Sequence, residues 1–266
     1  MAVSIIRSIL RTKRREVEEL KSKVGLSGLK KLARRAPAGR DLLPALKNGR
    51  KIPVIAEIKR ISPSAGPLRP LLSVAALARE YRDGGAAALS VLTDTPFFGG
   101  SPKDLELARE AVDLPVLRKD FIIDPIQLYQ SKVMGADAIL LIASALPSLG
   151  LKELYLESLD LGLTPLVEVH GPEEVDRVLA LDPDLMGINN RDLATLRVSP
   201  EISLRLRPLI PPEVVVVAES GIGSPQEVAA LKEAGLNAFL VGTALMKAVR
   251  PGRLLKQLCG MEVRNG

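Results

Sequence analysis

The chain has one cysteine, Cys259, one histidine, His170, and no tryptophan. A single cysteine excludes an intramolecular disulfide and points to a reducing, cytoplasmic setting. A single histidine excludes His-rich zinc sites and disfavours other histidine-based metal centres. Aromatic residues make up 3% of the 266 residues, too few for the stacking surfaces that accompany basic residues in nucleic-acid binding. The net charge of +6 admits nucleic acid, a membrane surface or an anionic small molecule; the missing aromatics set the first aside. No stretch approaches the ~20 apolar residues of a transmembrane helix. The apolar start of 5–24 is too short for a secretory core, and its acidic residues argue against a transit peptide.

What is present is ordinary for a globular protein, with 47% hydrophobic and 26% charged residues. Residues 5–24, IIRSILRTKRREVEELKSKV, have the spaced apolar residues and mixed charge of an exposed helix. After residue 52 the chain alternates. Short apolar or β-branched runs begin near Pro53, Ala88, Pro115, Ala138, Thr164, Leu185, Val214 and Ala238. Helical patterns fill 74–83, 103–112, 125–134, 149–161, 172–181, 200–209 and 225–234. Such alternation implies parallel βαβ units, and near-continuous apolar runs imply strands buried on both faces. Eight units predict a closed (β/α)₈ barrel, the TIM-barrel architecture of roughly 250 residues. The first βα turn lacks the G-x-G-x-x-G of a dinucleotide fold. Gly85-Ala86, Gly135-Ala136 and Gly235 read as helix ends, and Ser224-Pro225-Gln226-Glu227 as a helix start. No Ser- or Gly-rich linker divides the chain. One domain is expected, with residues 1–48 a helical extension and 49–266 the barrel.

Polar residues collect where the strands end. In PVIAEIKRISPSAGPLR, Glu57 and Lys59 stand at i and i+2 and share one face. Lys119 ends the third run, Glu168 the fifth, and Asn189 the sixth, followed by Asn190 and Arg191; Glu219 and Ser220 end the seventh. Singly, each reads as a solvated loop residue; together they converge on the rim that carries the chemistry of such barrels. Charges left in a barrel mouth must pair or titrate abnormally. Ser220-Gly221-Ile222-Gly223 and Val241-Gly242-Thr243-Ala244 follow the last two runs. Glycines there let backbone N–H groups approach an anion, where many such barrels hold phosphate.

The segments AEIKRISPS, LTDTPFFGG, PVLRKDFI, LVEVH, GINNRDL, VAESGI and FLVGTALM resemble, in order and spacing, those of the indole-3-glycerol-phosphate synthase family of tryptophan biosynthesis. Thr243 stands where a serine is common. The resemblance implies conversion of 1-(o-carboxyphenylamino)-1-deoxyribulose 5-phosphate into indole-3-glycerol phosphate, carbon dioxide and water, with no metal and no cofactor. It implies Lys119 as the acid of ring closure, Glu168 as the base of the dehydration, and Lys59 as a holder of the substrate carboxylate or a sharer of proton transfer. Glu57 would orient the lysines and substrate hydroxyls, with Asn189 and Glu219 completing the polar wall. Ser62, Ser220, Gly221, Gly242 and Thr243 would bind substrate or its phosphate. Phe98, Leu140, Ile142 and Leu193 would form an apolar pocket for the aromatic ring. Arg191 would border the substrate as a structural ion-pair partner. The expected partner is a phosphorylated small molecule, with no nucleic acid or membrane, and the protein a monomer or weak homo-oligomer. Phosphoribosylanthranilate isomerase typically uses a cysteine base, which Cys259, beyond the last run, is poorly placed to provide. Ribulose-phosphate epimerases typically need several histidines. A non-catalytic barrel would have no need of these lysines and glutamates.

Overall fold

Eight parallel strands close into a barrel in the computed structural model, which describes residues 5–47, 51–69, 72–192 and 195–261. The strands are β1 (Val54–Ile58), β2 (Ala88–Leu92), β3 (Val116–Lys119), β4 (Ala138–Ile142), β5 (Thr164–Val169), β6 (Leu185–Asn189), β7 (Val215–Glu219) and β8 (Ala238–Val241). Each pairs with its neighbour in sequence, and β1 closes on β8 through Val54 opposite Phe239. Every strand starts within a residue of the apolar run read from the sequence. Helices Val74–Asp83, Pro102–Ala111, Pro125–Val133, Ser148–Asp160, Pro172–Leu179, Glu201–Leu206 and Pro225–Glu233 cover the outside. Gly85 and Gly135 take the left-handed conformation that ends a helix without a Cβ clash. Ser224 and Glu227 form the expected capping box, with Pro225 in the first turn.

Alternation sorts each strand between two cores. Val54, Ala56 and Ile58 of β1 face the outer helices, as do Leu89, Val116, Ile139, Val167, Met186, Val216 and Phe239. Ile55, Ala88, Leu117, Leu140, Leu166, Leu185, Val217 and Leu240 fill the barrel interior. The interior residues continue upward at i+2 to Glu57, Lys119, Glu168 and Glu219. The site is therefore the top layer of the barrel core, with charge in place of leucine and valine.

The extension consists of α1 (Ile5–Lys23), α2 (Leu26–Ala33) and α3 (Leu42–Lys47). It touches both ends of the barrel. Leu42 and Leu46 of α3 are buried with Ala88, Leu185 and Val215, at the N-terminal ends of their strands. Each such burial contributes ~1.5–3 kcal/mol. Nearby, Asp137 receives the backbone N–H of Arg40 at 2.6 Å and pairs with Arg109 at 2.9 Å, fixing the segment that leads to α3. At the other end, Ile5, Ile6 and Ile9 of α1 join the core shared with Phe98 and Phe121. The expectation of an exposed α1 is corrected at Ile9, Lys13 and Val17, which are buried. Lys13 is 3% exposed and forms ion pairs with Asp94 at 3.0 Å and Asp120 at 2.8 Å.

Candidate active site

A cavity of about 450 Å³ opens at the C-terminal ends of the strands. Lys119 stands on its floor, its Nζ 2.9 Å from Glu168 Oε2 and 2.5 Å from Glu219 Oε2. The three meet because β3, β5 and β7 each present an interior residue at the same height. Asn189 connects the layer, donating from Nδ2 to Glu168 Oε1 at 3.0 Å while its Oδ1 accepts the N–H of Arg191. Glu57 and Lys59 form a second ion pair at 2.5 Å across the same cavity. Two glycines make room for these groups. A Cβ on Gly187 would overlap Glu219 Oε1, and one on Gly242 would overlap Glu57 Oε1.

Two carboxylates about one ammonium do not titrate alike. Burial tends to raise Glu168, but Lys119 and contacts to His170 and Asn189 outweigh it and hold the carboxyl well below its ordinary range. Burial pushes Glu219 up, Lys119 opposes, and the charges of Glu168 and Glu57 add to burial, leaving it at about 7. Burial alone would lower Lys119; Glu168, Glu219 and Glu57 reverse that and keep the ammonium charged. One carboxyl of the pair is lowered and the other raised about a single ammonium.

Behind Lys119 lies a second cluster. Arg118 donates to Asp120 Oδ2 at 3.0 Å, to Ser131 Oγ and to the Gln127 carbonyl; Thr93 Oγ1 also donates to Asp120. Lys13 joins Asp120 to Asp94, whose other oxygen accepts the Phe97 N–H at 2.9 Å. This fixes the turn that carries Phe98, whose ring lies 6.2 Å from that of Phe121.

Ser62, Phe98, Leu140, Ile142, Arg191, Ser220, Gly221, Gly242 and Thr243 all line the cavity, as expected from the sequence. Leu193 lies outside the described residues. Arg191 is corrected in one respect. No carboxylate among the described residues pairs with its guanidinium, which donates to the Leu196 carbonyl at 2.9 Å and borders the cavity. Sequence reasoning missed Ile5, Ile6 and Ile9 of α1, and also Asp120, Phe121 and Val198. The motif PVLRKDF already contained Asp120 and Phe121; α1 gave no local sign of where it docks. Ser220 has φ 66°, an uncommon conformation for a residue with a Cβ, at the turn out of β7. Glu227 Oε2 accepts the N–H groups of Gly223 and Ser224, so these two donors are already engaged. Cys259 is buried, its thiol on the Gly85 carbonyl, and its own carbonyl accepts the N–H of Ile52 just before β1. It sits at the end of the barrel opposite the cavity. Among the described residues, no group of three or more His, Cys, Asp or Glu could hold a metal ion, and no helix is long and apolar enough to cross a membrane.

Fold and site together define a (β/α)₈-barrel enzyme with a lysine–carboxylate centre and glycine-rich turns suited to a phosphorylated substrate. The family model described as indole-3-glycerol phosphate synthase matches residues 6–258. The indole-3-glycerol phosphate synthase of Polaromonas naphthalenivorans is 46% identical over 259 residues, covering 96% of this chain and 98% of its own. That of Carboxydothermus hydrogenoformans is 44% identical over 260 residues, covering 95% and 98%. The chain belongs to the indole-3-glycerol phosphate synthase family, decarboxylating carboxy-lyases of tryptophan biosynthesis. Among solved structures, the KGPDC of Streptococcus mutans aligns with a TM-score of 0.59 at 15% identity, covering 78% of this chain and 95% of that one. The thiamine phosphate pyrophosphorylase of Pyrococcus furiosus aligns at 0.57 and 18%, covering 82% and 96%. Both likenesses are of fold alone.

Proposed function

We propose that this cavity carries out the family's reaction on 1-(o-carboxyphenylamino)-1-deoxyribulose 5-phosphate, with Lys119 as the acid of ring closure. The observation that carries the reading is the Lys119 ammonium held between Glu168 and Glu219 on the cavity floor. The substrate's phosphate would lie at the turns of Ser220-Gly221 and Gly242-Thr243, beside Ser62. Its aromatic ring would lie against Phe98, Leu140 and Ile142, roofed by the isoleucines of α1, with Arg191 on the β6 side. Lys59, paired with Glu57, would hold the carboxylate.

As the aromatic carbon bearing the carboxylate attacks the C2 carbonyl, Lys119 gives its proton to the carbonyl oxygen. A general acid in position contributes ~10²–10⁴-fold. Carbon dioxide then leaves, the new hydroxyl departs as water with a second proton that Glu219 supplies through Lys119, and Glu168 takes one from the sugar carbon C1 as the indole becomes aromatic. Asn189 keeps Glu168 oriented for this step. Glu219, titrating near 7, shares protons with Lys119. Residues 1–48 and 49–266 act as one domain, because α1 walls the site that the barrel floors. The single cysteine supports a cytoplasmic location. Incubating the protein with this substrate should produce indole fluorescence and one carbon dioxide per turnover; absence of both would overturn the reading.

A further inference from the structure

The reaction leaves a proton debt. Ring closure delivers one proton to the carbonyl oxygen, dehydration delivers one to the departing hydroxyl, and aromatisation returns one from C1. At neutral pH the carboxylate leaves as neutral carbon dioxide, so each turnover takes up one proton from solvent. The groups that handle these protons are poorly placed to collect it. Glu168 and Glu219 side chains are each 2% exposed, and Lys119 opens only into the cavity that substrate fills.

We propose that His170 is the proton-relay residue of the site, passing a proton taken up at Glu174 to Glu168, which returns it to Lys119. His170 stands two residues beyond Glu168, at the rim above β5, and neither it nor Glu174 lines the cavity. Its Nε2 lies 3.3 Å from Glu168 Oε1 and its Nδ1 lies 3.4 Å from Glu174 Oε2. Glu168 Oε2, on the other side of that carboxylate, is 2.9 Å from Lys119 Nζ. Exposure falls along the path, from 20% at Glu174 to 14% at His170 and 2% at Glu168. An imidazole with a carboxylate at each nitrogen can accept at one while donating from the other.

The direction of transfer is consistent with this path. Burial lowers the imidazole's proton affinity, but Glu168 and Glu174, the charged groups that face it, prevail and hold it at about 10. The ring is therefore loaded at neutral pH. Neutral Lys119 between Glu168 and Glu219 draws a proton back, so His170-H⁺ plus neutral Lys119 gives His170 plus Lys119-H⁺, with Glu168 carrying the proton only in passing. Solvent then reloads the ring.

This inference rests on Lys119 being the acid, which loss of single-turnover carbon dioxide in Lys119→Ala tests separately. His170→Gln should release its first equivalent of carbon dioxide at the wild-type rate, because Lys119 starts protonated. Its steady-state kcat should fall by about tenfold, with a larger solvent isotope effect, and rise again with added imidazole buffer. Glu174→Gln, which keeps the acceptor for the His170 N–H, should show a smaller loss with the same buffer rescue, and it covers the case in which His170→Gln folds poorly. Three results would overturn the relay: an unchanged steady-state rate in both variants, a first turnover slowed as much as the later ones, or a slowed steady state that buffer does not restore.

Discussion

Arg118, Lys119 and Asp120 are consecutive, yet the pleat of β3 sends them to two clusters of opposite character. Outward, Arg118 and Lys13 serve Asp120, Asp94 and the half-buried Glu16, and Asp120 is held well below its ordinary range because Arg118 and Lys13 outweigh its burial. Inward, one ammonium faces two carboxylates, one of them is raised to about 7, and Glu219 Oε1 has no hydrogen-bond partner. The outward cluster holds α1 and the Phe98 turn in place. The inward one has a proton to move. Both are buried, so burial alone does not distinguish structural charge from reactive charge; a raised carboxyl against the cavity does.

The comparison is broken most severely at Lys119. Lys119→Ala should lower kcat by ~10²–10⁴ and release almost no carbon dioxide in a single turnover, while circular dichroism stays native. Glu168→Gln should instead release carbon dioxide without forming indole, since it removes the base of the later step; quenched-flow analysis should find a decarboxylated, still hydrated intermediate. Carbon dioxide release at the wild-type rate in both variants would make Lys59 the leading acid.

On the outward side, Lys13→Met strands part of the charge on Asp94 and Asp120. Breaking a buried pair costs ~3–5 kcal/mol, so denaturant unfolding should show a loss of that order. Because α1 carries Ile5, Ile6 and Ile9 onto the cavity, KM should rise more than kcat falls. A variant with native stability and unchanged KM would show that Lys13 does not anchor the roof.

The smallest effect separates the clusters by pH. Glu219 titrates at about 7 when folded against an ordinary 4.5, so the folded protein holds a proton that the unfolded chain has lost between those values. Its contribution to stability is complete below 4.5 and disappears as pH rises through 7. Unfolding free energies at about pH 5 and about pH 8 should therefore differ less in Glu219→Gln than in the wild type. An equal difference in the two proteins would mean that Glu219 does not carry the raised titration.

The barrel was legible in the sequence because period-two and helical patterns are local, and each strand began at the residue where its apolar run began or one later. The rim was legible for the same reason: a charge two positions beyond an interior leucine must face the cavity. Lys13 was not legible. On a helix with mixed charge it looks like any solvated lysine paired with Glu16, and it is Asp94 and Asp120, distant in the chain, that hold it inside. The guanidinium of Arg191 was misread similarly, because its acceptor is a backbone carbonyl that no side-chain pattern marks. The hairpin of Ile61–Ser62 with Gly66–Pro67 in the first βα loop was also not foreseen, since its turn residues fit an irregular loop equally well.

The extension's two points of attachment also shape how the chain reaches its fold. Leu42 and Leu46 are made early, but the interior they join includes Val215, Ala238 and Leu240, which are made last. Until β8 is available to pair with β1, both leucines and the isoleucines of α1 have no complete surface to bury against. Such long-range contacts are formed slowly, and the waiting apolar surface is prone to association. Barrel closure and docking of the extension are then one late event, and a nascent chain that stalls before residue 238 is the species most exposed to aggregation.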